Sequence, residues 1–401
     1  MREAYIVSAV RTPGCRRNKG KLAQTRPEDL IVQALDAALD KVGLEKKEID
    51  DIMIGCSFPE AEQGLNIGRV AAQMGGFPDS VGGATVNRFC ASGLESIAQS
   101  AMRVMVGWSD VTMAGGVEHM TIVPMGGNMP RPHPDWVKKN PDVYVSMGIT
   151  AENVATRYKI SRQMQDEFAY HSQMKAVNAQ KNNLFKEVIP VQANHFVEQP
   201  DGTYVRQTFT QDYDDGVRDT TSIEGLAKLR PVFSAMGSVT AGNSSQTTDG
   251  AAASIIMSGD AVKKFGVKPI VKLICYTTVG CRADEMGVGP AYAIPKLLQK
   301  TGMSLKDIGL FEINEAFASQ AVYCLQQLGM YDSKEWAVDS DSRRVNINGG
   351  AIALGHPLGC TGSKLAASLI SNMQIKGVKY GIESMCMGGG MGAAALFELC
   401  E

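Results

Sequence analysis

Apolar and polar positions along the chain form an alternating series of short β-like runs and longer helical stripes. AYIVSA, near the N-terminus, is an apolar run of strand length. PEDLIVQALDAALDKVG instead places its apolar residues three and four apart, with Pro27 suited to a first helical turn. DIMIGC then predicts a strand, NIGRVAAQMGG a helix and GATVNRF a strand. The residues after Cys90 predict a helix to about Val106, followed by the strand DVTMAGG. This alternation predicts an α/β fold whose mostly parallel sheet is covered by helices.

The C-terminal part repeats the order through PIVKLICYTTVG, PAYAIPKLLQKTG, IGLFEIN, EAFASQAVYCLQQLG, VNING, TGSKLAASLISNMQ, YGIESMCMGGG and GAAALFEL. Laid over the first part without a gap, Lys41 falls on Lys300, Gly43 on Gly302, Glu48 on Asp307 and Ile49 on Ile308. The same offset places Val86-Asn87 on Val345-Asn346. These matches sit at corresponding helix ends, loops and strands, so one α/β unit is expected twice. Between the halves, from about Glu118 to Ser245, the texture changes. MGGNMPRPHPDW, one helix-like run AENVATRYKISRQMQDEFAYHSQMKAV and a polar stretch through DYDDGVRDT predict a subdomain over one face of the core. AAASIIMS then predicts a strand returning to the first half.

Composition narrows what such a chain does. With 401 residues, 44% of them hydrophobic and 20% charged, it reads as a globular protein of two or three domains. A net charge of -2 gives no general nucleic-acid or membrane surface, and no apolar run is long enough to cross a bilayer. Nine scattered cysteines without a CxxC pair read as reduced thiols. The opening MREAYIVSAVRTP has neither a long apolar core nor an Arg-rich presequence, so the expected location is cytoplasmic.

Four residues stand where chemistry is expected. Cys90 falls between a strand and the helix after it, where unpaired N–H groups and the positive helix end favour a thiolate. The small residues Ala91, Ser92 and Gly93 leave room for a substrate carbonyl; the alternative is a buried structural thiol. His356, one of five histidines, lies in NGGAIALGHPLGCTG, where glycines admit a ligand and Pro357 restrains the loop. An imidazole beside a thiol acts as its base; alternatively it satisfies a tight turn. The same loop lacks the Lys-Ser/Thr ending and the GxGxxG spacing of phosphate-binding loops. Cys386, in ESMCMGGGMG, is a second thiol at the equivalent sheet edge or ordinary packing. Asn314, at the end of FEI, orients a water or an oxyanion donor, or is a strand-end cap. The cysteine and histidine spacings match no zinc pattern, so no metal site is expected.

Taken together, VNRFCASGLESI, GGVEHM, MGITAENVA, KLRPVF, VTAGNSSQTTDGAA, MGVGPAYA, NEAFA, NINGGAIALGHPLGCTG and CMGGGMG occur in an order and at spacings that resemble the thiolase family along essentially the whole chain. The resemblance implies the thiolase fold, with duplicated βαβαβαββ halves in a five-layered α-β-α-β-α core. It assigns residues 1–117 and 246–268 to the N-terminal half, 118–245 to an inserted coenzyme A-binding loop domain, and 269–401 to the C-terminal half. By position, Cys90 is the acyl-accepting nucleophile, His356 its base and Cys386 the acid/base for the second substrate. Asn314 holds a water that forms one oxyanion hole with His356; the N–H groups of Cys90 and Gly388 form the other. Ser245 matches a pantetheine-contacting serine, and Arg218 falls where a basic residue meets the nucleotide. Met147, Phe233, Met286 and Phe317 either line the acyl and pantetheine tunnel or are core packing.

The resemblance further implies ping-pong cleavage of 3-ketoacyl-CoA by CoA in fatty-acid β-oxidation, with CoA as a substrate, no bound cofactor and a homodimer or homotetramer. Ser146, where biosynthetic enzymes typically carry histidine, and the GHPLGCTG form with Cys360 favour the degradative type. The alternatives are a biosynthetic acetyl-CoA acetyltransferase (acetoacetyl-CoA thiolase) and a non-catalytic CoA- or lipid-binding relative. The presence of Cys90, Asn314, His356 and Cys386 together argues against the last.

Overall fold

The computed structural model describes residues 2–401. The first half runs β1 (Ala4–Arg11), β2 (Cys15–Arg16), α1 (Pro27–Asp40), β3 (Asp51–Gly55), α2 (Ile67–Met74), β4 (Gly82–Val86), α3 (Ser92–Val106) and β5 (Val111–His119). After β5 come α4 (Pro134–Lys139), α5 (Met147–Arg157), α6 (Arg162–Lys181), the hairpin β6 (Val191–Glu198) and β7 (Tyr204–Gln211), and α7 (Ile223–Ala227). The chain then returns through β8 (Thr248–Ser258) and α8 (Gly259–Phe265). The second half holds β9 (Val271–Gly280), α9 (Gly289–Thr301), β10 (Leu310–Ile313), α10 (Ala318–Gln327), α11 (Ser333–Trp336), α12 (Ala351–Leu354), α13 (Thr361–Lys376), β11 (Tyr380–Met387) and β12 (Met391–Leu399).

Local chemistry explains the ends of these elements. Pro27 opens α1, with Glu28 and Asp29 at its positive end, and Gly107 closes α3 in the left-handed conformation at φ 83°. The single helical run expected over AENVATRYKISRQMQDEFAYHSQMKAV is two helices. Lys159 takes φ 56°, which an α-helix cannot continue, and the Ser161 side chain accepts the Met164 N–H to start α6.

The strands lie in the order β10-β11-β12-β9-β1-β8-β5-β3-β4, with β2 on β8. The expectation of a mostly parallel sheet is corrected: among the described residues only the strand pairs β10/β11, β3/β4 and β3/β5 are parallel. β11 and β12 are joined by a tight glycine turn, which forces them antiparallel, and the returning β8 runs antiparallel to both β5 and β1. The halves meet where Tyr5 and Ile6 of β1 pair antiparallel with Lys272 and Val271 of β9. VNING, expected as a strand, makes only an isolated bridge between Val345 and Phe311.

Packing gives five layers. On one outer side, α1 and α2 bury Leu30, Ile31, Leu35 and Ile67 against Ile52, Ile54 and Ile255. On the other, α9 and α10 bury Ile294, Leu297 and Val322 against Ile313, Ile382 and Leu396. Between the two halves of the sheet lie α3 and α13, whose Leu94, Ile97, Leu365 and Leu369 share one core with Ala114, Ile256, Met385 and Phe397. Every residue of β8 is buried, as expected of a strand covered on both faces.

Candidate active site

Five residues connect β4 to α3, and side chains hold them in place. Asn87 accepts the Phe89 N–H at 2.8 Å and donates to the Ser57 carbonyl at 2.9 Å. Ser92 Oγ accepts the Arg88 N–H and donates to the Phe89 carbonyl. Phe89 is thereby kept at φ 46°, a conformation that costs a non-glycine residue about 1–2 kcal/mol. The next residue, Cys90, is turned inward and packs against Phe58, Met120 and Leu358. Its sulfur faces two backbone N–H groups, that of Gly388 and its own.

Burial works against the expected thiolate. Taking the sulfur out of water pushes the Cys90 thiol up to about 12, more than the two N–H groups pull it down, and Glu118 adds a small push in the same direction. His356 is buried too. Loss of water, followed by the charge of Lys364, drives its imidazole down to about 3. The resting pair is therefore a neutral thiol and a neutral imidazole.

His356 sits at the end of α12, where its N–H donates to the Gln246 carbonyl and Thr248 Oγ1. Asn314 Nδ2 lies 3.4 Å from its Nε2, and Thr361 Oγ1 lies 2.6 Å from its Nδ1. Leu358 of the same loop touches Cys90, so the thiol loop and the imidazole loop share one wall. Asn314 follows β10 directly; its Oδ1 is buried without a hydrogen-bond partner in the described chain.

Cys386 lies near the end of β11, fully buried, opposite Gly392. Burial and then the neighbouring Cys90 push its thiol well above the ordinary range. It packs in one small cluster with Met147, Met286 and Phe317, and the Phe233 ring meets Phe317 edge-on at 5.9 Å. The four apolar residues expected around the tunnel are thus gathered beside the second thiol. Ser245, half-buried, donates its backbone N–H to the Ala316 carbonyl, two residues beyond Asn314. Arg218 is not part of this cluster. It is exposed on the segment before α7, anchored by its backbone N–H to Gln173.

Three buried residues were not singled out from the sequence. Glu118, at the end of β5, accepts the N–H groups of Ser57, Phe58 and Gly359 and the Gln63 amide, clasping the His356 loop to the loop after β3. Lys364 donates to the carbonyls of Leu354 and Gly355 just ahead of His356. Thr361 holds the ring itself. Glu118 stands in GGVEHM and Thr361 in GHPLGCTG, but neither residue type announces its contact.

Comparisons with known proteins agree along the chain. Residues 4–260 match the model of the thiolase N-terminal domain, and residues 267–399 that of the thiolase C-terminal domain. A 3-ketoacyl-CoA thiolase of Bacillus subtilis (strain 168) is 47% identical over 401 residues, covering all of both chains. The peroxisomal 3-ketoacyl-CoA thiolase A of Mus musculus is 43% identical over 400 residues, 99% of this chain and 91% of its own. Among solved structures, the Bacillus anthracis acetyl-CoA acetyltransferase superposes with a TM-score of 0.87 at 35% identity, covering 100% of this chain and 99% of its own. The dimeric peroxisomal thiolase of Saccharomyces cerevisiae does so at 0.86, also 35% identical, covering 99% and 97%. The chain belongs to the thiolase family.

Proposed function

We propose that this protein is a 3-ketoacyl-CoA thiolase, an acetyl-CoA C-acyltransferase acting through a Cys90 acyl-enzyme in fatty-acid breakdown. The observation that carries this reading is the convergence on the Cys90 sulfur of the Gly388 and Cys90 N–H groups, with Cys386 alongside. The relatives named 3-ketoacyl-CoA thiolase support the substrate class.

In the first half-reaction Cys90 attacks the 3-keto carbon while its proton passes to His356 Nε2. A thiol near 12 and an imidazole near 3 do not exchange a proton beforehand, so transfer accompanies sulfur–carbon bond formation. The oxyanion is held by the two backbone N–H groups; losing one such donor costs about 3 kcal/mol. The carbon–carbon bond then breaks. Cys386 protonates the departing acetyl-CoA enolate, whose oxygen is held by His356 and an Asn314-bound water, and Cys386 regains its proton from His356. In the second half-reaction CoA gives its thiol proton to His356 and takes the acyl group, and the proton returns to Cys90. Met147, Phe233, Met286 and Phe317 would line the acyl and pantetheine path, Ser245 would contact the pantetheine and Arg218 would meet the nucleotide end of CoA.

A homodimer, alone or paired into a tetramer, fits β4, which ends the sheet with an unpaired edge, and Leu65, which is 96% exposed. Among the described residues no helix is long and apolar enough to cross a membrane. Nine free cysteines fit a reducing compartment, and we place the enzyme in the cytoplasm.

Incubation with a 3-ketoacyl-CoA followed by peptide mass spectrometry tests the reading. An acyl adduct on Cys90, absent from Cys90→Ala, is expected; turnover without that adduct overturns it. Comparing acetoacetyl-CoA with longer 3-ketoacyl-CoAs tests the degradative assignment, which strict confinement to four carbons would defeat.

A further inference from the structure

We infer that Thr361 is a positioning residue that fixes the tautomer of His356 and so makes Nε2, and not Nδ1, the base that serves Cys90. The inference rests on the thiolase reading of the site. Thr361 Oγ1 makes two contacts, one to the Pro357 carbonyl at 3.0 Å and one to His356 Nδ1 at 2.6 Å. A hydroxyl has a single proton. The carbonyl can only accept, so with that proton on the Pro357 bond the oxygen receives the Nδ1–H of the ring.

The other side of the ring gives the same answer. The group placed against Nε2, at 3.4 Å, is the Asn314 amide nitrogen, a donor that suits a lone pair there. Two independent partners thus select one of two tautomers that a free imidazole populates side by side. The opposite tautomer would carry a proton on Nε2 and could not take one from Cys90 or from CoA. When the proton does arrive, the same Thr361 oxygen accepts from Nδ1–H of the imidazolium, so Thr361 itself does not have to turn between half-reactions.

Thr361 can do this because of where α13 begins. It is the first residue of that helix, buried, and its hydroxyl lies within hydrogen-bond reach of the carbonyl four residues earlier. His356 lies one residue before Pro357, so a single turn of backbone holds both the ring and its orienting group.

The test compares wild type, Thr361→Val, which keeps the shape and removes the hydroxyl, and Thr361→Ser, which keeps the hydroxyl. Nitrogen-15 spectra of histidine-labelled protein read the tautomer, with His356 assigned by its absence from His356→Asn. Single-turnover acylation of Cys90 reads the consequence. Protonated Nδ1 is expected in wild type and Thr361→Ser, and a mixture with protonated Nε2 in Thr361→Val. Acylation should slow by about tenfold or more in Thr361→Val, with little change in the substrate concentration needed for half-saturation, and recover in Thr361→Ser. Protonated Nε2 in wild type, or wild-type acylation in Thr361→Val, overturns the inference. The wild-type spectrum decides even if Thr361→Val does not fold. If wild type forms no acyl-enzyme at all, the thiolase reading fails, while the spectra still decide whether Thr361 sets the ring.

Discussion

Gly93 of α3 and Gly362 of α13 face each other where the two central helices begin, and neither has room for a methyl group. A Cβ on Gly93 would stand 2.6 Å from the Ser363 backbone nitrogen, and one on Gly362 would stand 2.1 Å from that of Leu94. Cys90 lies just before one of these helix starts and His356 just before the other. The closeness of the two glycines therefore sets how near the thiol loop comes to the imidazole loop.

Gly362→Ala should accordingly damage catalysis along with stability. Overpacking against backbone cannot be relieved by turning a side chain, so a loss of about 1–3 kcal/mol is expected in denaturant unfolding. Among molecules that remain folded, acylation of Cys90 should still be slowed, because the helix starts have moved apart. Normal acylation per folded molecule would show that the crossing serves stability alone.

The neutrality of His356 sets a pH dependence. Its folded pKa, about 3, lies below the ordinary 6.5, so the folded state binds this proton less readily than the unfolded chain does. The stability it contributes is present above about 6.5 and is lost as pH falls toward 3. The acid limb of Cys90 acylation should lie below the ordinary histidine range, with a flat rate from about pH 6.5 to 8. His356→Asn should lose less stability than wild type over the same acidification, measured by thermal unfolding at several pH values.

A second pH effect comes from a buried carboxyl outside the reaction. Glu312 lies beside Glu383 on the neighbouring strand, and burial, followed by repulsion from Glu315, pushes it up to about 8. A raised carboxyl favours folding below its unfolded value near 4.5, and that contribution is lost as pH rises through 8. Glu312→Gln keeps an acceptor for the Asn372 amide and has no charge to form. It should gain stability relative to wild type between pH 5 and pH 8; a difference in melting temperature that does not vary with pH would defeat this account.

Much of this arrangement is legible in the chain. Cys90, Asn314, His356 and Cys386 could be picked out because each stands at the end of a strand-like run or in a glycine-rich loop, where local composition marks a reactive position. The repeat is legible through Val86-Asn87 and Val345-Asn346, although only the first pair closes a full strand. What was not legible depends on three-dimensional surroundings. The direction of β8 and β12 follows from how the chain returns, which periodicity does not encode. Whether Cys90 is a thiol or a thiolate depends on burial by Phe58, Met120 and Leu358, distant in sequence. Thr361 touches His356 only because a helical turn begins between them.

Glu118 offers the sharpest separation of electrostatics from architecture. Its carboxylate accepts from Ser57 N–H at 2.8 Å, Phe58 N–H at 3.3 Å, the Gln63 amide at 2.8 Å and Gly359 N–H at 2.7 Å, so donors surround it. In Glu118→Gln an amide NH2 must face at least one of them, leaving buried donors unpaired at a cost of about 1–3 kcal/mol. The loop carrying His356 should loosen at Gly359, and thiolysis should fall. The same change removes the negative charge that helps hold the Cys90 thiol up, so its pKa should drop. Alkylation of Cys90 by iodoacetamide at fixed pH should therefore be faster in the variant while turnover is slower. Should both rates fall together, Glu118 would act on Cys90 only through the loop it clasps, and its charge would have no measurable hold on the thiol.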